Sequence, residues 1–359
     1  MNCVFRQLNE TEAAAAFAMV QARMRWMDAQ GIRHWNIWDY DKYYPLSYYE
    51  SRAREGALWG LTDPAGTLAS FAVLLEQDEN WPDDAPALYV HTLVSAVEAK
   101  GAGRALLQEA EGMARRMGKT WLRLDSAREN GPLTRLYRDF GFHDAGTCTE
   151  GPYRGILRQK RLIRTAPLDK DLLLALVNKA HGIPTDWLEH VELVSVRNPL
   201  DSVFKVESET LEHFYALQDR LLSEGTDVEL LNSYRTVGMQ TETWDLYEKT
   251  RGLGYCRKYV AVPGYSEHHT GLAIDVYLVV DGQVIRGVEA MLAEAEPFAR
   301  VHARIAEYGF ILRYPRGAEA VTGYAYEPWH LRYVGREAAQ EITAQGITLE
   351  EYLQDSGRR

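Results

Sequence analysis

Ser266-Glu267-His268-His269-Thr270-Gly271-Leu272-Ala273-Ile274-Asp275 is the stretch from which this chain can be read outward. It sets an imidazole and a carboxylate seven residues apart (268 to 275), with a glycine between them. Further along, 52 residues beyond Asp275 (327 − 275), comes Glu327-Pro328-Trp329-His330. The two segments together offer two histidines, one aspartate and one further glutamate. A zinc centre that does chemistry needs three protein ligands, an open position for water and a carboxylate base. His268, Asp275 and His330 are the candidate ligands and Glu327 is the candidate base. His269, beside His268, is expected to be structural.

The spacing also predicts local structure. Leu272 to Val280 is rich in branched apolar residues and reads as a buried strand. Asp281-Gly282 reads as a tight hairpin turn, and Gln283 to Ile285 as the return strand. Asp275 then sits on rigid scaffold, with His268 just before it and Gly271 turning the backbone between them. Pro328 argues against a helix through Glu327 and His330. That segment is expected to be a turn running into Leu331 to Val334.

Taken in order, Ser266-x-His268-x-x-Gly271-x-Ala273-x-Asp275 and Glu327-x-x-His330 resemble the LAS-type zinc peptidases. These include the VanX- and VanY-type D-alanyl-D-alanine peptidases and the related L,D-carboxypeptidases. The resemblance runs over roughly residues 170–340. It implies Zn2+ on His268, Asp275 and His330, with Glu327 moving protons. Upstream, Leu231-Asn232-Ser233-Tyr234-Arg235 precedes an expected helix from Val237 to Arg251. The family carries an arginine there that faces the scissile carbonyl, so the resemblance makes Arg235 the stabiliser of the oxyanion. It makes Ser233, Gln240 and Ser266 substrate contacts.

Residues 1–160 read as a separate α/β unit. Leu88 to Val94 is a strand candidate, and Lys100-Gly101-Ala102-Gly103-Arg104-Ala105 then leads into a helix running to about Met117. Leu106, Leu107, Ala110, Met113, Ala114 and Met117 fall on one face of that helix. Trp121 to Leu124 is the next strand. A strand, a glycine turn and a helix N-terminus offer main-chain N–H groups to a pyrophosphate. The pattern lacks the third glycine of a dinucleotide fingerprint and the Gly-Lys-Ser/Thr of a P-loop. Together with Asn130 and Leu136-Tyr137-Arg138-Asp139-Phe140-Gly141-Phe142, it resembles the GNAT superfamily of N-acetyltransferases over roughly residues 3–150. The resemblance implies that Lys100 to Ala105 and Asn130 bind acetyl-CoA, and that Tyr137 protonates the departing thiolate. Glu98 departs from the Arg or Gln usual in the family. The aromatics Trp26, Trp35, Trp38, Tyr40, Tyr43, Tyr44, Tyr48 and Tyr49 are expected mostly in the core, with an acceptor pocket as the other reading.

The 359 residues suffice for two cores. The expected architecture is an N-terminal α/β mixed sheet with helices over 1–160 and a small α+β peptidase with an antiparallel sheet over 161–359. Arg158-Gln159-Lys160-Arg161 reads as a solvated linker, and Pro167 as preceding a fresh helix at Leu172 to Val177. The net charge is −11. Residues 1–160 contribute 19 Lys/Arg against 21 Asp/Glu and the remainder 21 against 30, so neither half is basic. Nucleic-acid partners are not expected. The three cysteines are far apart, and reduced thiols are expected. No secretion signal or membrane span is evident, so a cytoplasmic protein is expected.

These expectations combine into a bifunctional enzyme. One half would cleave a peptide bond ending in a D-amino acid, D-Ala above all, in a cell-wall stem peptide or dipeptide. The other would transfer acetyl groups, with the amine its neighbour releases as the expected acceptor. Two rivals are an acetyltransferase whose second half only positions a wall peptide, and a non-catalytic binder of wall peptide and acetyl-CoA. The choice among D,D-carboxypeptidase, L,D-carboxypeptidase and dipeptidase stays open, as does the oligomeric state.

Overall fold

A computed structural model describes residues 3–32, 36, 39–151, 153–162 and 167–355. Trp35 and Trp38 lie outside the described residues. The chain divides into two compact units, one up to residue 163 together with Pro199–Asp201, the other comprising the rest.

The first unit is a mixed seven-stranded sheet. Its strands are β1 Val4–Gln7, β2 Leu58–Thr62, β3 Leu68–Leu75, β4 Ala87–Ser95, β5 Trp121–Ala127, β6 His143–Glu150 and β7 Tyr153–Arg161. They lie in the order β1-β2-β3-β4-β5-β7-β6, and only β4 and β5 are parallel. Alternation along β3 separates two cores. Ala72 and Leu74 pack with Leu106, Leu107, Ala110 and Phe142 on one face. Phe71 and Val73 pack with Ala13, Ala16, Val20 and Tyr49 on the other. The helix Ala102–Arg116 buries the expected stripe, except that Met117 caps it and is 39% exposed.

The second unit holds a hairpin, β8 Leu193–Arg197 and β9 Val203–Glu207, and a five-stranded antiparallel sheet. That sheet comprises β10 Asp227–Asn232, β11 Ala273–Val280, β12 Gln283–Ile285, β13 Phe310–Leu312 and β14 His330–Tyr333. β11 is central and buried over its first six residues. Asp281 (φ 50°) and Gly282 (φ 75°) make the two-residue turn into β12, both left-handed as that turn requires. The helix Ser208–Ser223 buries Leu211, Phe214, Leu217 and Leu221, and the helix Val237–Arg251 starts at a Thr236 cap.

Two local expectations are corrected. The helix after Pro167 is one turn, Lys170–Leu173, and Val177 is buried beyond its end. Arg158–Arg161 is the end of β7, not a solvated linker. Arg158 is fully buried, where Ser126, Thr134 and Asp144 take its guanidinium. Lys160 pairs with Glu111 at 2.7 Å. Strand alternation and acidic partners overrode the look of a charge run. All three cysteines are free thiols.

Candidate functional site

Sheet register brings the two motifs of the second unit together. Asp275 of β11 is the direct cross-strand partner of His330 on β14, and on its other side it faces Asn232 of β10. A one-residue slip would turn either side chain to the opposite face. Glu327 lies in the turn before β14, where the His330 N–H donates to the Glu327 carbonyl at 3.2 Å. His268 rides on a single 3-10 turn, Glu267–Thr270, capped by Ser266 and ended by Gly271 at φ 74°. A Cβ on Gly271 would fall 2.7 Å from Leu193, so the turn needs glycine for conformation and for room.

His268, Asp275 and His330 are buried, and their ligand atoms lie within 4.8 Å of one another. His268 Nε2 is 3.3 Å from Asp275 Oδ2, and His330 Nδ1 is 3.1 Å from Asp275 Oδ1. Ligand atoms around a tetrahedral ion with bonds of about 2.0–2.1 Å stand roughly 3.3 Å apart. The protons point the same way. His268 Nδ1 donates to the Ser233 carbonyl at 2.7 Å, and burial holds the ring's pKa below its ordinary value. With Nδ1 spent on that carbonyl, Nε2 is the atom that faces the carboxylate oxygen, an arrangement that a cation between them makes favourable. The donor set fits Zn2+.

Behind His330 lies a residue the sequence reading passed over. Glu267 Oε2 stands 3.6 Å from His330 Nε2, and both atoms are buried without another partner. The other Glu267 oxygen accepts from Arg313 at 2.8 Å and Arg332 at 2.9 Å, and Arg313 also pairs with Glu350 at 2.7 Å. Burial alone would raise the Glu267 pKa, but the two guanidinium groups drive it far down. This fixed carboxylate orients the imidazole through its outer nitrogen. Nothing in the local spacing marks Glu267, because its partners lie 46 and 65 residues away.

Burial, reinforced by Asp275 and opposed by His330 and Arg235, lifts the Glu327 carboxyl to about 8. It can therefore hold or give up a proton near neutrality. The Arg235 guanidinium donates to Gln240 Oε1 at 2.6 Å, while Gln240 Nε2 donates to the Ala261 carbonyl at 2.6 Å. Arg235, Gln240, Ser266, Glu327 and the three ligand candidates line one cleft of about 290 Å³. Gln240 thus holds the arginine with the oxygen of its amide and is itself anchored through the nitrogen. Ser233 corrects its expected role as a substrate contact. It is fully buried off the cleft wall, its hydroxyl donates to the Ala273 carbonyl at 2.7 Å, and its own carbonyl orients His268. His269 spends both ring nitrogens on main chain, at the Arg235 carbonyl (2.6 Å) and the Gly264 N–H (3.0 Å).

The first unit has its own cavity, of about 780 Å³. β4 and β5 pair only as far as Val90 and Leu124, although both strands continue. A bulge in β4 marks the parting, with Thr92 at φ 48°. The facing edges beyond it open into the cavity. Gly103 lines it near Ser95, at the N-terminus of the helix Ala102–Arg116, and Gly101 begins that helix at φ 84°. Asn130 lines it too, but its side-chain oxygen caps the next helix by accepting from the Leu133 N–H. Tyr137 lines it, with burial pushing its phenol pKa up. Lys100, Ala102, Arg104 and Ala105 stand off the wall, and the Arg104 guanidinium lies over Phe140. Of the aromatic segment, Trp26, Tyr40 and Tyr44 line the cavity, Tyr40 and Tyr49 are core, and Tyr43 is exposed.

Residues 203–336 match the family model "VanY: D-alanyl-D-alanine carboxypeptidase", and residues 17–142 match "Acetyltransferase (GNAT) family". A bifunctional D-Ala-D-Ala dipeptidase and carboxypeptidase, VanXYC of Enterococcus gallinarum, is 46% identical over 128 residues, 35% of this chain and 66% of the relative. A D-alanyl-D-alanine carboxypeptidase of Enterococcus faecalis is 34% identical over 195 residues, 49% of this chain and 69% of the relative. The crystal structure of a vancomycin-resistance D,D-pentapeptidase VanY with Zn(II) is 34% identical, covering 51% of this chain and 99% of that one, with a TM-score of 0.43. The chain spans about two thirds of the length of the two curated relatives. Through its second unit the chain belongs to the VanY D-alanyl-D-alanine carboxypeptidase family, while its first unit carries a match to the GNAT family model over residues 17–142.

Proposed function

We propose that the second unit is a zinc-dependent peptidase releasing a C-terminal D-amino acid, D-Ala foremost, from a peptidoglycan precursor or fragment. The observation that carries this reading is the register pairing of Asp275 with His330, with Glu327 and Arg235 in the same cleft. His268, Asp275 and His330 would hold the ion, which when bound supplies Lewis acidity toward the scissile carbonyl and the attacking water. Glu327 takes the proton of that water and passes it to the leaving amine. Arg235, braced by Gln240, faces the negative oxygen of the tetrahedral intermediate. Ser266 contacts the substrate, and Glu267 and the Ser233 carbonyl keep the two imidazoles aimed.

The first unit binds acetyl-CoA between the parted strands β4 and β5, with Gly101 and Gly103 admitting the pyrophosphate and Tyr137 giving its proton to the departing thiolate. Because acetyl-CoA is an intracellular metabolite, the protein works in the cytoplasm, on soluble precursors or recycled fragments. Two measurements test the reading. Zinc-loaded protein is incubated with tetra- and pentapeptide stems and with D-Ala-D-Ala, and mass spectrometry identifies the bond cut. Zinc content is then compared in two variants, where His330→Ala should lose the metal and His269→Ala should keep it. Equal loss in both variants would reject the ligand set.

A further inference from the structure

The two ends of the 780 Å³ cavity differ in charge. At the end near Gly103, Arg23 lines the wall and donates to the Ser95 carbonyl. It is the one Lys or Arg among the described lining residues. Toward the other end the lining carboxylates are Asp125 and Glu150, and His91 lines the cavity beside them; Glu129 also lines it. Asp78 stands behind His91, 3.0 Å from its Nε2. The phenols there donate to carboxylates and leave their charge in place. Tyr153 donates to Asp125, and Tyr44 donates to Glu150 at 3.0 Å. Glu150 and Tyr153 are direct partners across the β6–β7 hairpin, so both side chains rise on one face with Asp125.

A cleft lined by one sign of charge concentrates the opposite sign. The acidic end does not suit the phosphates of a coenzyme, so it is left for the acetyl acceptor. Burial raises the Asp125 carboxyl, opposed by Tyr153 and His91 and added to by Asp78 and Glu150, and an ammonium arriving there would relieve that strain. The nitrogen that attacks a thioester must first lose its proton, and with it its charge. A monoamine then keeps nothing for the second carboxylate to hold. A free amino acid such as D-alanine fares worse, because deprotonation leaves it an anion among carboxylates.

We infer that the acetyl acceptor of the first unit is a carboxylate-free amine with at least two amino groups, one reacting beside Asp125 while another, still an ammonium, pairs with Glu150. The inference rests on the acetyltransferase reading above. In the reaction the acceptor nitrogen bonds to the acetyl carbonyl carbon of acetyl-CoA and the carbon–sulfur bond breaks. The nitrogen loses two protons overall. One leaves through Asp125 to solvent, and the other restores to Tyr137 the proton it gave to the departing thiolate. Tyr137 and Asp125 both line the cavity.

The test uses the full chain. Acetyl-CoA binding is measured by calorimetry. Transfer is then followed by thiol release and by product mass with 1,4-diaminobutane, spermidine, n-butylamine and D-alanine. The diamine and the triamine should exceed n-butylamine in kcat/KM by about tenfold or more, an increment of about 1.4 kcal/mol, and D-alanine should be the poorest of the four. Glu150→Gln should erase the preference for diamine over monoamine, chiefly through KM. Asp125→Asn should lower kcat for every amine. Both variants should still bind acetyl-CoA, which shows that they are folded. If D-alanine or n-butylamine reacts as well as the diamine, or if Glu150→Gln leaves the preference intact, the inference is overturned and the acetyltransferase reading stands. If wild-type protein binds no acetyl-CoA, that reading falls and the inference falls with it.

Discussion

In the second unit the cleft lies where antiparallel strands stay paired, with Asp275 opposite His330 and Asn232 beside it. In the first unit it lies where parallel strands stop pairing, past Val90 and Leu124. Pairing fixes the direction of each side chain, which suits an ion that tolerates little error. Parting frees main-chain donors and acceptors along two edges, which suits a long flexible ligand. The surroundings follow the same division. His330 is backed by Glu267 in a fully buried ion-pair network, whereas Glu129 and Glu150 of the other cavity are exposed.

The sharpest way to break this comparison is Glu327→Gln. If the paired-strand cleft holds its geometry independently of its base, hydrolysis should fall by roughly 10²–10⁴-fold while zinc content stays. Near-normal turnover would remove Glu327 from the mechanism. Next comes Glu267→Gln, which leaves Arg313 and Arg332 short of a countercharge in the interior. Denaturant unfolding should show a loss of about 3–5 kcal/mol, and competition with a chelator a loss of zinc affinity of about 10–100-fold. The matching change in the other cavity, Glu129→Gln, should stay within about 0.5 kcal/mol. Equal costs at the two positions would erase the contrast.

A smaller effect is expected from Gly103→Leu. The cavity wall near Ser95 has room for a methyl group but little more, with the nearest atom 3.7 Å from a Cβ built on Gly103. Acetyl-CoA affinity should drop by about tenfold or more, or about 1.4 kcal/mol, with peptide hydrolysis unchanged. Loss of both activities would mean that the two units do not behave as separate bodies. The smallest effect concerns pH. Burial opposes charge on His91, but Asp78 outweighs it and raises its pKa, while Asp78 itself is lowered. The stability contributed by His91 is complete below its unfolded value of 6.5 and fades as pH rises through the raised folded value. That of Asp78 is present above 3.8 and fades as pH falls through the depressed value. The pair therefore helps most between those limits. In His91→Gln, melting temperature should lose that part of its pH dependence.

What the sequence disclosed about the second cleft depended on distance along the chain. The strand from Ala273, its Asp281-Gly282 turn and the spacing from His268 to Asp275 are local, and they lie as expected. The turn before His330 followed from Pro328. Glu267 and the inward-facing Ser233 were beyond local reading, because their roles depend on Arg313, Arg332 and Ala273 being folded against them. Arg158 misled for the same reason. A run of basic residues looks solvated until Asp144 and Ser126 are brought beneath it. In the first unit the glycine turn and the following helix were legible from their period. The parting of β4 and β5 was not, since a bulge at Thr92 has no composition of its own.

Glu350 gives the network around His330 a consequence for handling the molecule. It lies on the last helix, Leu349–Asp355, and neutralises the outer side of Arg313. The helix Leu349–Asp355 is therefore a strut for the cluster of His268, Asp275 and His330. Proteolytic trimming before residue 349, or a fusion that pulls this helix away, would leave Arg313 drawing on Glu267 alone. His330 would feel the change without any residue of the cleft having been altered. A tag intended to leave this cleft undisturbed belongs elsewhere.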